Sequence, residues 1–188
     1  MLSSCYITFS GGLYEKDLRN YEAYITAIIE TRMPTAEKLV GIIKETIHGL
    51  TDNYYCELYG SYKTGLCLPW SDLDFVIINK QGQPQEQLFL TRVYNALRNK
   101  PWVTDIKLIE NTFVPLIKIK TSEEFLEFSI DISIQADKHQ GLKCVQLVKM
   151  YLEEYKVLLP LVLALKTLLF HAGLNNPDRG GLSSYGLM

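Results

Sequence analysis

Apolar positions recur at helical spacing twice in the first third of the chain. Leu18, Tyr21, Ile25, Ile28 and Ile29 fall on one face of a helix predicted over residues 18–30, with Asp17 placed to cap it. Leu39, Ile42, Ile43, Ile47 and Leu50 repeat the pattern over residues 35–50. Met33-Pro34 lies between them, and a residue before proline is biased away from helix, so two separate helices are expected. The texture then changes. Residues 54–59 are short, aromatic and strand-like, and Phe75 to Ile78 is a compact run ended by Asn79 and Gln81-Gly82. Leu88, Phe89, Val93, Tyr94 and Leu97 predict a helix over 85–99, and strands follow at 103–109, 113–120 and 125–134. Helices return at 142–155 and 157–172. Strands in the middle with helices at both ends predict an α+β fold: a mixed sheet with flanking helices and a helical region built from both termini.

Composition narrows the classes. The chain has 188 residues, 47% of them hydrophobic, enough for one sizeable core or for one domain and part of a second. The formal net charge is −2, so there is no overall basic surplus for gripping nucleic acid. Local pairs such as Lys118 with Lys120, or Lys138 with Lys143, are the available basic patches. None of Cys5, Cys56, Cys67 and Cys144 forms a Cys-x-x-Cys pair, which argues against a zinc ribbon and fits a reducing compartment. The N-terminus lacks a charged segment followed by an apolar one, so no secretory signal is read. The most apolar stretch, Val157 to Phe170, contains Pro160 and Lys166 and is too short to span a bilayer.

The chemistry sits in the middle. Asp72 and Asp74 are two residues apart at the start of a predicted strand, so both carboxylates point to one face. Adjacent carboxylates repel unless a cation lies between them, and a hard ion such as Mg²⁺ takes one or two protein carboxylates plus phosphate oxygens and water. In phosphoryl chemistry such pairs hold two ions about 3.5–4 Å apart. Upstream, Gly60-Ser61 ends a strand; glycine lets backbone approach a phosphate, and serine adds an N–H and a hydroxyl. Asp131, between Ile130 and Ile132, supplies a third acid from a distant strand. A lone Asp-x-Asp is common on exposed strand ends and a lone Gly-Ser is weaker still; the ordered combination carries the reading.

The segment Gly60-Ser61-Tyr62-Lys63-Thr64-Gly65-Leu66-Cys67-Leu68-Pro69-Trp70-Ser71-Asp72-Leu73-Asp74 resembles the signature of non-canonical poly(A) polymerases. These are terminal RNA nucleotidyltransferases of the DNA polymerase β-like superfamily, and the nuclear RNA-surveillance type is nearest in texture. Val114-Pro115-Leu116-Ile117-Lys118, Ile130-Asp131-Ile132-Ser133, Leu163-Ala164-Leu165-Lys166 and Gly180-Gly181-Leu182-Ser183-Ser184-Tyr185 resemble the family's later motifs in order. The resemblance runs from about residue 35 to the end. It implies a nucleotidyltransferase palm over residues 51–140, N-terminal helices over 1–50 and the start of a helical central domain over 141–188. It implies transfer of AMP from ATP to an RNA 3′-hydroxyl with two Mg²⁺ (or Mn²⁺) ions held by Asp72, Asp74 and Asp131. Gly60, Ser61, Lys166 and Ser184 would contact phosphate, and Tyr185 would stack on the base. The implied partners are an RNA 3′ end, a nucleoside triphosphate with ATP favoured, and an accessory RNA-binding protein or further chain segment, in the nucleus and without a membrane.

Three departures qualify the resemblance. Phe170 and His171 stand where many relatives carry a second basic residue after the helical lysine, and Gln140-Gly141 stands near a family Asn-Gly that contacts ribose. The motifs also stop at Met188, where relatives continue through helices that complete the cleft and choose the base. The chain is therefore expected to need further segments or a partner. Terminal uridylyl transfer, a non-catalytic scaffold of the same fold, and a small-molecule nucleotidyltransferase stay open as alternatives; the Gly180–Tyr185 segment points away from the last.

Overall fold

A computed structural model describes residues 14–81, 86–112, 114–135, 139–175, 180–182 and 186–187, with Glu86 and Gln87 described by their backbone alone. Helix α1 runs Tyr14–Leu50, followed by β1 Tyr54–Tyr59, α2 Gly60–Thr64, β2 Leu73–Asn79 and α3 Glu86–Leu97. Then come β3 Val103–Ile109, β4 Leu116–Thr121, a 3-10 turn Glu123–Phe125, β5 Ser129–Ile134, α4 Gly141–Glu154 and α5 Leu158–His171. The strands form one five-stranded sheet in the order β1-β2-β5-β4-β3. Only β2 and β5 pair in parallel; the other three pairings are antiparallel. The expected mixed sheet with flanking helices is what the chain forms.

The first fifty residues correct one expectation. The two predicted helices are a single helix, α1, with Pro34 inside it. Proline removes one backbone N–H and crowds the carbonyl four residues back, here Glu30. Both residues are exposed, so water can take the freed carbonyl. Burial on either side of the proline keeps the helix continuous. Ile25 packs with Leu68 and Leu163, whereas Ala36, Leu39, Ile43 and Ile47 enter the main core. α1 thus spans two hydrophobic clusters, touching α5 at one end and β1 and α3 at the other.

The main core lies on one face of the sheet. Strand alternation sends Phe75 and Ile77 of β2, Ile117 and Ile119 of β4, and Ile130, Ile132 and Ile134 of β5 into it, against Leu39, Ile43, Leu90 and Val93. The other face carries mostly polar side chains, with Val76 buried among them. The strand expected over 125–134 starts only at Ser129, because Leu126 and Glu127 both take positive φ (56° and 51°) and turn the chain. Phe125 and Phe128 on either side are buried and anchor that turn. Among the described residues no helix is long and apolar enough to cross a membrane.

Candidate active site

Sheet register places two acids side by side. In the parallel pair β2–β5, Asp74 lies opposite Asp131. Neighbouring strands are about 4.8 Å apart, so the two carboxylates share one patch of the polar face. Asp72 precedes β2 by one residue, at the end of a turn closed by Ser71. The Leu68 N–H donates to Ser71 Oγ at 2.9 Å, and the Ser71 N–H donates to the Leu68 carbonyl at 2.9 Å. The Ser129 side chain acts to lower the Asp72 carboxyl, against the larger effect of burial. The three acids predicted from sequence are therefore brought to one place.

Gly60 closes the other side. It has φ +66°, a conformation side chains rarely adopt, and a Cβ built on it would lie 2.1 Å from Asp74 Oδ2. The start of α2 therefore presses against the carboxylate, which only glycine permits. Ser61 follows in the first turn of α2. The Thr64 hydroxyl donates back to the Gly60 and Ser61 carbonyls (3.1 and 3.2 Å), and Gly65 in the left-handed region ends the turn.

The electrostatics are those of crowded negative charge. Burial pushes the Asp74 carboxyl up to about 7, with Asp131 and Asp72 adding to the rise and Lys166 and Lys118 opposing it. Asp72 is also raised, first by burial and then by Asp131. Tyr59, opposite Asp74 on β1, is pushed up to about 12 by burial, with both acids contributing. Lys118 of β4 lies opposite Asp131 and donates from Nζ to Asp131 Oδ2 at 2.8 Å. The donor set fits a hard divalent cation: oxygen ligands only, gathered at mutual cost, with one ammonium already drawn in. As the side chains stand, no group of three or more His, Cys, Asp and Glu residues among those described encloses an ion.

Lys166 is held by a backbone carbonyl. It is buried, and its Nζ donates to the Leu66 carbonyl at 2.6 Å. Burial lowers its affinity for a proton, partly offset by Cys67 and Asp74. It thus ties α5 to the segment between α2 and β2, within electrostatic reach of Asp74. Ser184 and Tyr185 lie outside the described residues. Phe170 rests on Trp70 with ring centroids 4.7 Å apart, and His171 stands 6.2 Å from the same ring. Those two residues therefore line a surface aromatic cluster around Trp70. Gln140 is exposed at the start of α4.

Sequence reasoning gave Lys118 no role beyond a basic patch. Its signal was present: Lys118 and Lys120 alternate with Ile117 and Ile119, so they face away from the core, and a β4–β5 hairpin sets Lys118 against Asp131. A second network went unread. Ser133, two residues after Asp131, donates to the Phe75 carbonyl at 3.0 Å. Its hydroxyl then accepts from His139 Nε2 at 3.0 Å, leaving His139 Nδ1 to accept the Gly141 N–H at 3.3 Å. His139 is therefore neutral, with its proton on Nε2. No apolar periodicity in the sequence points to it.

Known proteins share this fold. The chain is 26% identical over 172 residues to Poly(A) RNA polymerase protein 2 of Saccharomyces cerevisiae, covering 92% of this chain and 29% of that protein. Among solved structures it resembles the polymerase core of TRAMP, an RNA surveillance complex, at 27% identity and TM-score 0.73, over 91% of this chain and 51% of that one. The fold also matches the Cid1 poly(U) polymerase bound to Mg and 3′-dATP, at 21% identity and TM-score 0.75, over 95% and 54% of the two chains. The chain thus spans under a third of the yeast relative and about half of the solved structures. The description "Poly(A) RNA polymerase, mitochondrial-like, central palm domain" matches residues 17–153, most of the chain, and the chain belongs to that family.

Proposed function

We propose that this chain is the catalytic palm of a template-independent RNA 3′-end nucleotidyltransferase that transfers AMP from ATP to an RNA 3′-hydroxyl. One observation carries the reading: Asp74 and Asp131 in register on adjacent parallel strands, with Asp72 beside them and Gly60 pressed against Asp74. A scaffold gains nothing from gathering three carboxylates at a cost in self-repulsion.

Asp72, Asp74 and Asp131 would hold two Mg²⁺ or Mn²⁺ ions, which when bound supply charge stabilisation at the attacking and leaving oxygens. Gly60 and Ser61 offer close backbone approach and a hydroxyl to the triphosphate. Asp131 would hold the ion that makes the RNA 3′-hydroxyl easier to deprotonate. Lys166 would reach phosphate oxygens by leaving the Leu66 carbonyl, and Ser184 and Tyr185 would complete the phosphate and base contacts. The palm over residues 51–140, flanked by helical segments 1–50 and 141–188, is part of the same proposal. So are an accessory RNA-binding protein and a nuclear location, which follow from the likeness to an RNA-surveillance polymerase core.

The test is a tailing assay: labelled single-stranded RNA, Mg²⁺ and each nucleoside triphosphate in turn, with Asp72→Ala/Asp74→Ala as control. Extension with ATP by the wild type and none by the control is the expected result. Preference for UTP would make the enzyme a uridylyltransferase. Silence from the chain extended beyond Met188, folded and binding nucleotide, would overturn catalysis in favour of a scaffold.

A further inference from the structure

The row of residues crossing the polar face of the sheet does not end with the acids. Asp74 lies opposite Asp131, Asp131 opposite Lys118, and Lys118 opposite Lys107 on β3. Directly opposed residues on neighbouring strands point to the same face, so these four side chains stand in line. Lys118 has two neighbours to choose between, one of each sign. Lys107 repels it and is itself paired with Asp105 at 3.3 Å. Lys118 is thereby pushed onto Asp131, where it makes its 2.8 Å bond. The Lys118 side chain is 50% exposed and Asp131 20% exposed. The ammonium can leave through solvent on its flexible stem without disturbing the core.

Charge counting gives this contact a consequence. Three carboxylates face one another; one ammonium, Lys118, is bonded to Asp131, and Lys166 acts on Asp74 only through space. The remaining two negative charges match one divalent ion held near Asp72 and Asp74. A second ion must share Asp131 with Lys118, against the ammonium's charge. We infer that Lys118 is an internal counter-cation that closes Asp131 to metal until a nucleoside triphosphate arrives with negative charge and an ion of its own. This inference rests on the nucleotidyltransferase reading above. Lys118 then gives up Asp131 and turns toward the incoming phosphates. Occupation of Asp131 by metal is thus coupled to nucleotide arrival, so the acid facing the RNA 3′-hydroxyl is completed only when there is something to attack. Lysine suits the task because a point charge with one hydrogen bond releases readily; the guanidinium fork of arginine would grip both carboxylate oxygens and hold on.

Mn²⁺ binding to the nucleotide-free chain, read by electron paramagnetic resonance, tests this in the wild type, Lys118→Met and Lys118→Arg. Lys118→Met should bind Mn²⁺ up to about fivefold tighter, the upper end for releasing a half-exposed ion pair. Lys118→Arg should bind it more weakly than the wild type. Equal affinity in all three would overturn the inference. So would Lys118→Arg matching the wild type, because a charge acting only through space is blind to the difference between lysine and arginine. A second readout needs no substitution in the measured protein. The Nζ nitrogen signal of Lys118, assigned by its loss in Lys118→Arg, should leave its place in the nuclear magnetic resonance spectrum when Mg²⁺ and a non-hydrolysable ATP analogue are added together. Its persistence would overturn the inference even if Lys118→Met fails to fold. The tailing assay separates the two readings: extension of RNA with a flat Mn²⁺ series leaves the enzyme and removes the counter-cation role.

Discussion

Replacing Asp74 by asparagine should make the metal-free protein more stable, although it removes an acid the proposed reaction needs. The side chain keeps its shape and loses its charge. In the folded chain Asp74 holds its proton until about 7, against an ordinary 3.8. At 1.36 kcal/mol per pH unit the charged form costs about 4 kcal/mol above neutrality. Asp74 keeps some contact with solvent, which screens part of that cost, so about 2–4 kcal/mol is expected. The sign follows from proton counting. Between pH 4 and 7 the folded state carries a proton on Asp74 that the unfolded state has released, so wild-type stability falls as pH rises through that window. Asp74→Asn lacks this slope. Urea unfolding of both proteins in EDTA, at pH 5 and pH 8, reads the difference. The variant should be the more stable at both values, by about 2–4 kcal/mol at pH 8 and by less than half of that at pH 5. Mg²⁺ with nucleotide should then close the gap by stabilising the wild type alone. A variant less stable than the wild type at pH 8 would refute the reasoning, because the carboxylate would then be held by favourable contacts and not merely tolerated.

Gly60→Ala should abolish tailing and cost about 1–2 kcal/mol, since its Cβ collides with Asp74 Oδ2 at a positive φ; urea unfolding and the tailing assay read both. Lys166→Met should keep stability within about 1 kcal/mol, because a buried ammonium already pays for desolvation, yet lose at least about tenfold in tailing. Glu127→Asn should stabilise by about 0.5–1 kcal/mol, as asparagine tolerates the left-handed conformation that Glu127 holds at φ 51°; thermal unfolding checks it. His139 is held neutral by burial below its usual 6.5, so its contribution is present above that value and lost as pH falls through it. His139→Gln should flatten stability across pH 5–7 relative to the wild type in urea unfolding.

Local patterning made most of the fold legible. β1, β3, α4 and α5 fall within about a residue of their expected ends, because each is bounded by turn residues and its apolar period is unbroken. Tertiary contact decided where patterning failed. Nothing near Pro34 says that Ile25 and Leu39 will be buried in different clusters at once, and that double burial keeps α1 whole. The start of β5 was misplaced because Phe125 and Phe128 look like strand residues and serve as anchors of a turn. Within the site, Gly60, Asp72, Asp74 and Asp131 were readable because their chemistry restricts residue type. Lys166 was named from its motif, but its bond to the Leu66 carbonyl, a hundred positions away, was not legible.

The same register that builds the site also sets its cost. Parallel pairing of β2 with β5 fixes Asp74 beside Asp131 whenever Phe75, Ile77, Ile130, Ile132 and Ile134 face the core, since a one-residue slip would send those apolar side chains to the polar face. The acids cannot move apart without unpacking the sheet. Their repulsion is therefore held in place by hydrophobic burial on the opposite face, where Ile43, Leu90 and Val93 pack with no exposure. A counter-charge can relieve the strain only by arriving from the polar side, which is where Lys118 now stands and where the proposed ions and triphosphate would enter. Core packing and site chemistry are thus coupled through strand register. A core substitution such as Ile132→Ala, far from any ligand, should weaken divalent-ion binding by loosening the spacing of Asp74 and Asp131.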